Sequence, residues 1–301
     1  MFFPGLPIND YRNYLLRSGP FYFLVTSELN SIEENIVKLY DTTKHPRPSQ
    51  ALPFIDFNIS VTGSKSKLIF RNNQNAEFSL DSKKVFNPFP ISHVTAMLEW
   101  GMNWCISTQI NTYLIIHAAV VEKYGFAVIL PAPPGSGKST LCATLIQEGW
   151  RLLSDELTLL DLNTAKAVPM PRPIGLKNQS IDIIKARYPK AVFGLSSAET
   201  IKGNVCHLKP PTESIRLQSV QCPVRWIVFP KFEHKASTQL RNKPKGEAFL
   251  QIANNAFNYN IIGKIAFNTL KTVVDQSECF TFQYSNLDEA IEVFDRLRIN
   301  L

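Results

Sequence analysis

The stretch from Ala132 to Thr140, with the sequence APPGSGKST, constrains the fold more than any other part of the chain. An apolar run, Phe126 to Leu130, precedes it, and a second apolar run, Leu141 to Ile146, follows it. This order predicts a strand, a loop of small residues and an amphipathic helix. In such a loop successive backbone N–H groups surround a phosphate chain, and the helix N-terminus adds its positive dipole end. We therefore expect a site for nucleotide phosphates here.

Two side chains of this stretch have separate expected roles. Lys138 would reach the β- and γ-phosphates and the Ser139 hydroxyl would hold Mg²⁺, so ATP and Mg²⁺ are the expected ligands. Ala132 replaces the first glycine of the usual pattern, which we interpret as a tolerated variant because alanine is the smallest substitute. The alternative is a simple turn between a strand and a helix. The residues expected to bind the nucleotide are Pro134, Gly135, Ser136, Gly137, Lys138, Ser139 and Thr140.

Composition and charge narrow the function classes. The chain has 301 residues with 45% hydrophobic content, enough for one large domain or two smaller ones. The formal net charge of +7 is modest, and the lysines and arginines are scattered rather than clustered. This pattern does not indicate a nucleic-acid-binding surface, and an anionic nucleotide ligand accounts for part of the excess.

Cysteine spacing and the absence of long apolar runs predict a cytoplasmic protein. Five cysteines stand far apart without a Cys-x-x-Cys pair, which favours reduced thiols over disulfides or a zinc site. The N-terminal residues lack the basic and apolar regions of a signal peptide. No stretch of about 18 uncharged apolar residues occurs, so we expect no membrane-spanning helix.

Residues 1–90 are predicted to be a β-rich amino-terminal region. Phe21–Val25 and Asp56–Thr62 have the pattern of strands, and Ser31–Tyr40 has that of a helix. Lys67–Arg71 and Ala76–Leu80 flank an Asn-rich connection and predict a hairpin. Residues 91–301 are predicted to form a second domain that carries the nucleotide loop.

The second domain begins with a predicted helix, Ile91–Gln109, whose aromatic residues we interpret as packing residues. A strand rich in β-branched residues, Tyr113–Glu122, follows and carries His117. A short turn through Gly125 predicts that this strand pairs antiparallel with the strand that enters the nucleotide loop. His117 is a candidate active-site residue, and the alternative is a satisfied core histidine.

Adjacent carboxylates follow the next apolar strand. Asp155 and Glu156 come after Leu152 and Leu153. At the end of a strand beside a phosphate-binding loop, carboxylates can bind Mg²⁺ or accept a proton from an attacking hydroxyl. The alternative is a solvated acidic turn.

Cations in two later loops are candidate contacts for phosphate or for an acidic substrate. Arg172 and Lys177 lie in Pro171–Asn178, and Lys202 lies in Thr200–Pro211. The alternative is a pair of rigid turns with exposed charges. The remaining predicted elements are a hairpin of Leu157–Leu160 with Ala165–Met170, a strand at Val224–Phe229, and helices at Ser180–Tyr188, Lys245–Phe257 and Leu287–Leu297.

Residues 113–161 resemble the bacterial HPr kinase/phosphorylases, in which a histidine-bearing strand, a P-loop and a strand ending in two acidic residues follow in this order. The chain is also similar to the relatives known as HprK-related kinase A, in the stretches 98–104 (LEWGMNW), 153–158 (LSDELT) and 200–203 (TIKG). The resemblance implies a P-loop kinase domain of the HPr kinase type in residues 91–301, a mixed twisted sheet with flanking helices. It also implies a homo-oligomer, and a hexamer in particular.

The resemblance also implies site roles. Asp155 matches the family's carboxylate that deprotonates the acceptor serine, Glu156 stands where the family has a second Asp near the metal, and His117 matches the active-site histidine. Lys138 and Ser139 match the phosphate- and Mg²⁺-binding positions. The family's later Glu followed by Arg-Gly has no counterpart that we can place.

Together these observations predict an ATP-dependent kinase for a serine-type hydroxyl on a small protein, a peptide or a metabolite, with Asp155 as general base. A nucleotide-binding regulatory module without an acceptor stays open as an alternative. So does a kinase for a small molecule such as free serine or a sugar, because the same phosphate machinery would serve it.

Overall fold

Three β-sheets form the framework of the residues that the computed structural model describes, which are 11–40, 53–64 and 75–297. The strands are β1 (Arg12–Ser18), β2 (Phe21–Ser27), β3 (Phe57–Gly63), β4 (Asn75–Leu80), β5 (Lys83–Lys84), β6 (Phe89–Pro90), β7 (Tyr113–Lys123), β8 (Phe126–Pro131), β9 (Arg151–Ser154), β10 (Leu157–Asp161), β11 (Ala167–Val168), β12 (Ile174–Lys177), β13 (Ser197–Thr200), β14 (Gly203–Leu208), β15 (Val224–Phe232), β16 (Gln239–Asn242) and β17 (Glu278–Tyr284). The helices are α1 (Asn30–Leu39), α2 (Val94–Gln109), α3 (Lys138–Gln147), α4 (Gln179–Arg187), α5 (Thr212–Arg216), α6 (Lys245–Asn254), α7 (Tyr259–Ile262), α8 (Lys264–Gln276) and α9 (Leu287–Arg296). The result is a mixed α/β fold.

The central sheet has the strand order β11-β10-β7-β8-β15-β17-β16, with β9 also paired to β7. Strands β8, β15 and β17 are parallel to one another, whereas β7 is antiparallel to β8, β9 and β10. The predicted hairpin through Gly125 is therefore confirmed. Because β7 is long, it pairs with β10 through its first half and with β8 through its second half.

The pairing register of β7 brings the ends of three other strands together. His117 is opposite Leu157 at the start of β10, and the next residue, Ala118, is opposite Pro131 at the end of β8. Val120 is opposite Ser154 at the end of β9. The glycine-rich loop follows β8 and Asp155 follows β9, so the register alone places both beside the middle of β7.

Alternating side chains of the central strands supply two hydrophobic cores, as the two-residue repeat of a strand requires. Val128 and Leu130 of β8 pack on one face with α3 and α9, whereas Ala127 and Ile129 pack on the other face with α6 and α8. Both faces are covered by helices, which explains why the sequence of β8 is continuously apolar rather than alternating.

A second sheet has the order β1-β2-β3-β4-β5, with β6 paired to β4. It forms a further core with α1 and α2, to which Leu98 and Met102 of α2 contribute. Ile115 of β7 and Leu157 of β10 also belong to this core, so the second sheet is joined to the central sheet by apolar packing. The division of the chain at residue 90 stays a prediction.

The third sheet is antiparallel, with the order β12-β14-β13. Ile174 and Leu176 of β12, with Cys206 and Leu208 of β14, pack in the core that contains α3. This sheet therefore lies over the helix that begins at Lys138.

Most predicted elements are present, and the bounds differ by a few residues. The predicted helix Ile91–Gln109 begins with a 3₁₀ turn, Ile91–His93, and the one predicted to end at Phe257 ends at Asn254. Three elements that we did not predict, α7, α8 and β17, fill residues 259–284. Lys67–Arg71, the first arm of one predicted hairpin, lies outside the described residues.

All five cysteines lie within the described residues and are buried with free thiols. In the part of the chain that the structure describes, no helix combines the length and the apolar character needed to cross a membrane.

Gly101 of α2 is expected to tolerate no side chain, because a Cβ built there lies 2.1 Å from a ring carbon of Phe78. Phe78 is fully buried in the core, where close packing resists displacement of the ring. We expect Gly101→Ala to lower the free energy of unfolding by about 1–3 kcal/mol through overpacking. In urea denaturation the matched control is Gly246→Ala in α6, where a Cβ meets nothing within 4 Å. That change should raise stability by up to about 1 kcal/mol. Equal stability of the two variants would contradict the prediction.

Candidate active site

The loop between β8 and α3 has the conformation that its glycines permit. Gly135 and Gly137 both have φ of +84°, in the region that residues with a side chain rarely adopt. The loop is held from outside by two backbone carbonyl contacts. The Tyr284 hydroxyl donates to the Gly137 carbonyl at 3.0 Å, and the Phe232 N–H donates to the Ser136 carbonyl at 2.9 Å. The ends of β15 and β17 thereby fix the loop ahead of α3.

Gly137 is constrained by its neighbours as well as by its backbone. A Cβ there lies 2.5 Å from the Tyr284 hydroxyl and 2.8 Å from Phe232 Cβ, whereas a Cβ at Gly135 meets nothing within 4 Å. Both positions have the same φ, so each alanine variant carries backbone strain of about 1–2 kcal/mol. The clash at Gly137 should make the free energy of unfolding of Gly137→Ala lower than that of Gly135→Ala by about 1–3 kcal/mol. Urea denaturation measures the difference. Equal stability would show that the clash at Gly137 is relieved without cost.

Asp155 lies at the end of β9 with a carboxylate that is only partly satisfied. Its Oδ2 accepts hydrogen bonds from Ser139 Oγ at 3.3 Å and from the Gly175 N–H at 3.2 Å. Its Oδ1 is buried and has no hydrogen-bond partner. Burial raises the pKa of Asp155, and the nearby Lys138 opposes that rise. One oxygen of the Asp155 carboxylate is therefore an unsatisfied hydrogen-bond acceptor within the site.

The Glu156 carboxylate is hydrogen-bonded to a residue of α2. Its Oε2 accepts a hydrogen bond from Asn103 Nδ2 at 2.6 Å. Burial by itself would raise the pKa of Glu156, but the positive charges of Lys202 and Lys138 outweigh that effect and lower the pKa. Glu156 is therefore an ionised carboxylate near neutral pH.

His117 lies half-buried in the middle of β7, where the register places it beside the loop. Burial, followed by the charge of Lys138, lowers the pKa of His117 to about 4. The imidazole is consequently neutral near pH 7 and offers one donor and one acceptor nitrogen. Its ring centroid is 6.1 Å from that of Phe257.

Arg172 is engaged by other protein groups. Its Nη2 lies 2.5 Å from Glu99 Oε2 and donates to the Glu99 carbonyl at 2.7 Å, and its Nη1 donates to Asn103 Oδ1 at 2.6 Å. Glu99 also accepts from the Tyr40 hydroxyl at 2.7 Å. Burial by itself would lower the pKa of Arg172, but Glu99 and Tyr40 raise it above the ordinary value. Arg172 is a buried structural cation at the wall of the site.

The two predicted lysines differ from Arg172. Lys177 ends β12, and Lys202 lies in the turn between β13 and β14. Both are exposed, and neither forms an ion pair with another described residue. Lys202 Nζ lies 4.4 Å from the ring centroid of Trp100, within cation–π range. Their ammonium groups are available to an anionic ligand.

Every residue that the sequence predicts for the site lines one cavity of about 1070 Å³. This exceeds slightly the range of about 300–1,000 Å³ that small-molecule sites usually span. Lining residues that we did not predict include Glu99, Asn103 and His207. His207 is buried opposite Gly175 in the pairing of β14 with β12, and burial lowers its pKa. The available signal for Glu99 and Asn103 was a polar residue within the predicted helix Ile91–Gln109, whereas His207 lies in the stretch Thr200–Pro211 that we predicted as a basic loop.

The residues of the loop fit a magnesium ion held together with phosphates. Ser139 and the Glu156 carboxylate, the two predicted metal ligands, line one cavity. Ser136 Oγ and Asp155 Oδ1 line the same cavity and are buried polar atoms without hydrogen-bond partners. Among the described residues no group of three or more His, Cys, Asp or Glu side chains could hold a metal alone. Mg²⁺ characteristically uses one or two carboxylates, with waters and substrate phosphates as its other ligands.

Comparison with known proteins supports the predicted relationship. No family model matches the chain. The chain is 28% identical over 117 residues to the "Putative HPr kinase/phosphorylase" of Fusobacterium nucleatum. The matched region covers 35% of this chain and 19% of the relative. The Hpr(Ser) kinase/phosphatase from Coxiella burnetii, a solved structure, is 12% identical with a TM-score of 0.28, over 62% of this chain and 99% of that one. The chain spans about a fifth of the length of the curated relative that it matches. The sequence similarity to that relative confirms the predicted relationship to an HPr kinase-like family.

Proposed function

We propose that this chain is an ATP- and Mg²⁺-dependent kinase that transfers the γ-phosphoryl group to a serine-type hydroxyl on a small protein, a peptide or a metabolite. One observation carries the proposal. The Asp155 carboxylate is buried in the cavity beside the glycine-rich loop, with one oxygen tied to Ser139 and Gly175 and the other without a partner. A loop that binds phosphates next to an unsatisfied carboxylate is the arrangement that phosphoryl transfer to a hydroxyl requires.

The proposed phosphate site is a P-loop. The backbone N–H groups of residues 135–137 and the N-terminus of α3 would bind the phosphate chain, and Lys138 would neutralise its β- and γ-oxygens. Ser139 and Glu156 would hold Mg²⁺, which supplies further neutralisation of charge at the phosphates when it is bound. Lys138 is buried and lines the cavity, so its charge acts where little water screens it.

Asp155 is proposed as the general base. Its partner-free oxygen would accept the proton of the acceptor hydroxyl as that oxygen forms its bond to the γ-phosphorus. The bond from the γ-phosphorus to the bridging oxygen breaks in the same transfer, and ADP leaves with that electron pair. The hydrogen bonds from Ser139 and Gly175 keep the other carboxylate oxygen in place. Neutral His117 would support the phosphate by donating a hydrogen bond.

Lys177 and Lys202 are proposed as the cations that meet the transferring phosphoryl group or the acceptor. Both line the cavity, and among the described residues neither has an acidic ion-pair partner. Arg172 is a poorer candidate because its guanidinium already donates to Glu99 and Asn103. An unchanged turnover number in the alanine variant of either lysine would remove that lysine as a candidate.

The name of the curated relative makes an HPr-type protein the first acceptor to test. Purified protein is incubated with Mg²⁺ and γ-labelled ATP, with an HPr-type protein, with free serine, or with lysate from its own source. Label in one discrete protein supports a protein kinase, and label in serine supports the small-molecule alternative. ATP bound without label in any acceptor would contradict the proposal and favour the regulatory nucleotide-binding module.

A homo-oligomer stays a prediction, testable by light scattering of the same preparation.

A further inference from the structure

One face of α2 forms a wall of the cavity. Glu99, Trp100 and Asn103 all line it, and they belong to the stretch 98–104 for which the predicted kinase chemistry gives no role. Glu99 pairs with Arg172, Trp100 lies beneath Lys202, and Asn103 bonds to Glu156. Asn103 is the member of this face that contacts a proposed metal ligand directly.

The chemistry of its two neighbours fixes the orientation of the Asn103 amide. Arg172 has only donors, so the amide atom 2.6 Å from its Nη1 must be the acceptor oxygen. The amide nitrogen must then face Glu156, whose Oε2 accepts the hydrogen bond, and the distance of 2.6 Å is that of a strong hydrogen bond. A flipped amide would place donor against donor and acceptor against acceptor.

Arg172 is itself held from behind. Glu99 binds it through a side-chain oxygen and through its backbone carbonyl, and the other carboxylate oxygen of Glu99 accepts from Tyr40. Tyr40 is buried and directly follows α1, the helix that packs on the second sheet. An unbroken hydrogen-bonded chain thus runs from Tyr40 through Glu99, Arg172 and Asn103 to Glu156.

We propose that Asn103 is a positioning residue of this site, whose amide is oriented by Arg172 and holds the Glu156 carboxylate at the cavity wall. The inference rests on the proposed function, because Glu156 acts there on Mg²⁺ and the phosphates. It makes the second sheet, through Tyr40 and α2, a structural part of the phosphate site. Groups that orient a metal ligand typically change affinity or activity by about 10–100-fold when they are removed.

A double-mutant cycle between Asn103 and Glu156 tests the inference. Asn103→Leu removes both hydrogen bonds, and Asn103→Asp keeps the acceptor for Arg172 but sets a negative oxygen against Glu156. Because Asn103→Asp retains the bond to Arg172, it serves as the variant that folds if Asn103→Leu does not. Each is made in the wild-type chain and in Glu156→Gln. Gln109→Leu, at the exposed end of the same helix, is the matched control.

We expect both Asn103 variants to lower kcat by about 10–100-fold in the wild-type background and by less than about twofold in the Glu156→Gln background. A second readout needs no turnover. In calorimetric titrations, Mg²⁺ should improve ATP binding less in the Asn103 variants than in the wild type, whereas binding in chelator should be unchanged. A residue that only supports the fold would change kcat equally in both backgrounds.

The outcomes separate the inference from the proposed function. A wild-type chain that binds no ATP, or transfers no phosphoryl group, contradicts the proposed function. A wild-type chain that is active, with Asn103→Asp within twofold of its kcat or with equal losses in both backgrounds, contradicts the positioning role alone. Loss of kcat that depends on Glu156, with ATP binding in chelator retained and Gln109→Leu unchanged, supports it.

Discussion

Asp155→Asn is expected to lower the rate of phosphoryl transfer by about 10²–10⁴-fold, the range typical for removing a general base. Asparagine has the same shape, and its amide oxygen can still accept from Ser139 and Gly175. It carries no negative charge and cannot take the proton of the acceptor hydroxyl. ATP should still bind because the loop and Lys138 are unchanged. The loss should therefore lie mainly in kcat rather than in the KM for ATP.

The measurement is transfer of label from γ-labelled ATP under single-turnover conditions, with ATP affinity determined separately. Asp275→Asn provides the matched control, since Asp275 lies exposed on α8 and pairs only with Lys271 among side chains in the described structure. The control should transfer label at the wild-type rate. Transfer by Asp155→Asn at more than a tenth of the wild-type rate would remove Asp155 as the base and leave the fold assignment untouched.

Arg172→Met is expected to lower the free energy of unfolding by about 3–5 kcal/mol, because it leaves the buried Glu99 carboxylate without its positive partner. Glu99 is 2% exposed and Arg172 is 6% exposed, so water can replace little of the lost interaction. Glu99→Gln should be similarly destabilising, since it leaves the guanidinium buried with a neutral neighbour. Urea denaturation followed by circular dichroism measures both.

The double variant Arg172→Met with Glu99→Met separates a charge effect from a packing effect. A buried ion pair replaced as a unit by apolar residues is often tolerated, so the double variant should be less destabilised than the sum of the single variants. Arg216→Met is the control, because Arg216 and Glu213 form an exposed pair and the change should not measurably alter stability. Additive losses in the double variant would show that Arg172 stabilises the fold through its methylene groups instead.

Local chain chemistry made the loop and its flanking elements predictable. The apolar run into β8, the small residues of 132–137 and the helix from Lys138 depend on interactions within a few residues, and the structure has all three in that order. The same holds for the hairpin of β7 with β8, whose turn is encoded by Gly125 at φ of +86°. Asp155 could be placed near the loop because it ends a short apolar strand that follows α3.

The gaps in the prediction share one physical cause. Residues 259–284 escaped prediction although α8 has apolar residues at helical spacing, namely Ala266, Leu270, Val273 and Val274. Nothing in those residues indicates that Tyr284 would hold the Gly137 carbonyl, because the two are 147 positions apart. The contacts of Asn103 with Glu156 and of Arg172 with Glu99 likewise join distant segments.

The sequence by itself determined which chemical groups the chain brings to this region: a glycine-rich loop, a following helix, adjacent carboxylates and a histidine on the neighbouring strand. Only the tertiary structure decided what each charge does. It pairs Arg172 with Glu99, leaves Lys177 and Lys202 available, and leaves one oxygen of Asp155 without a partner. The reason is that a side chain's charge is neutralised by whatever the fold brings within a few ångströms, and strand register and helix packing set those neighbours across segments far apart in the chain.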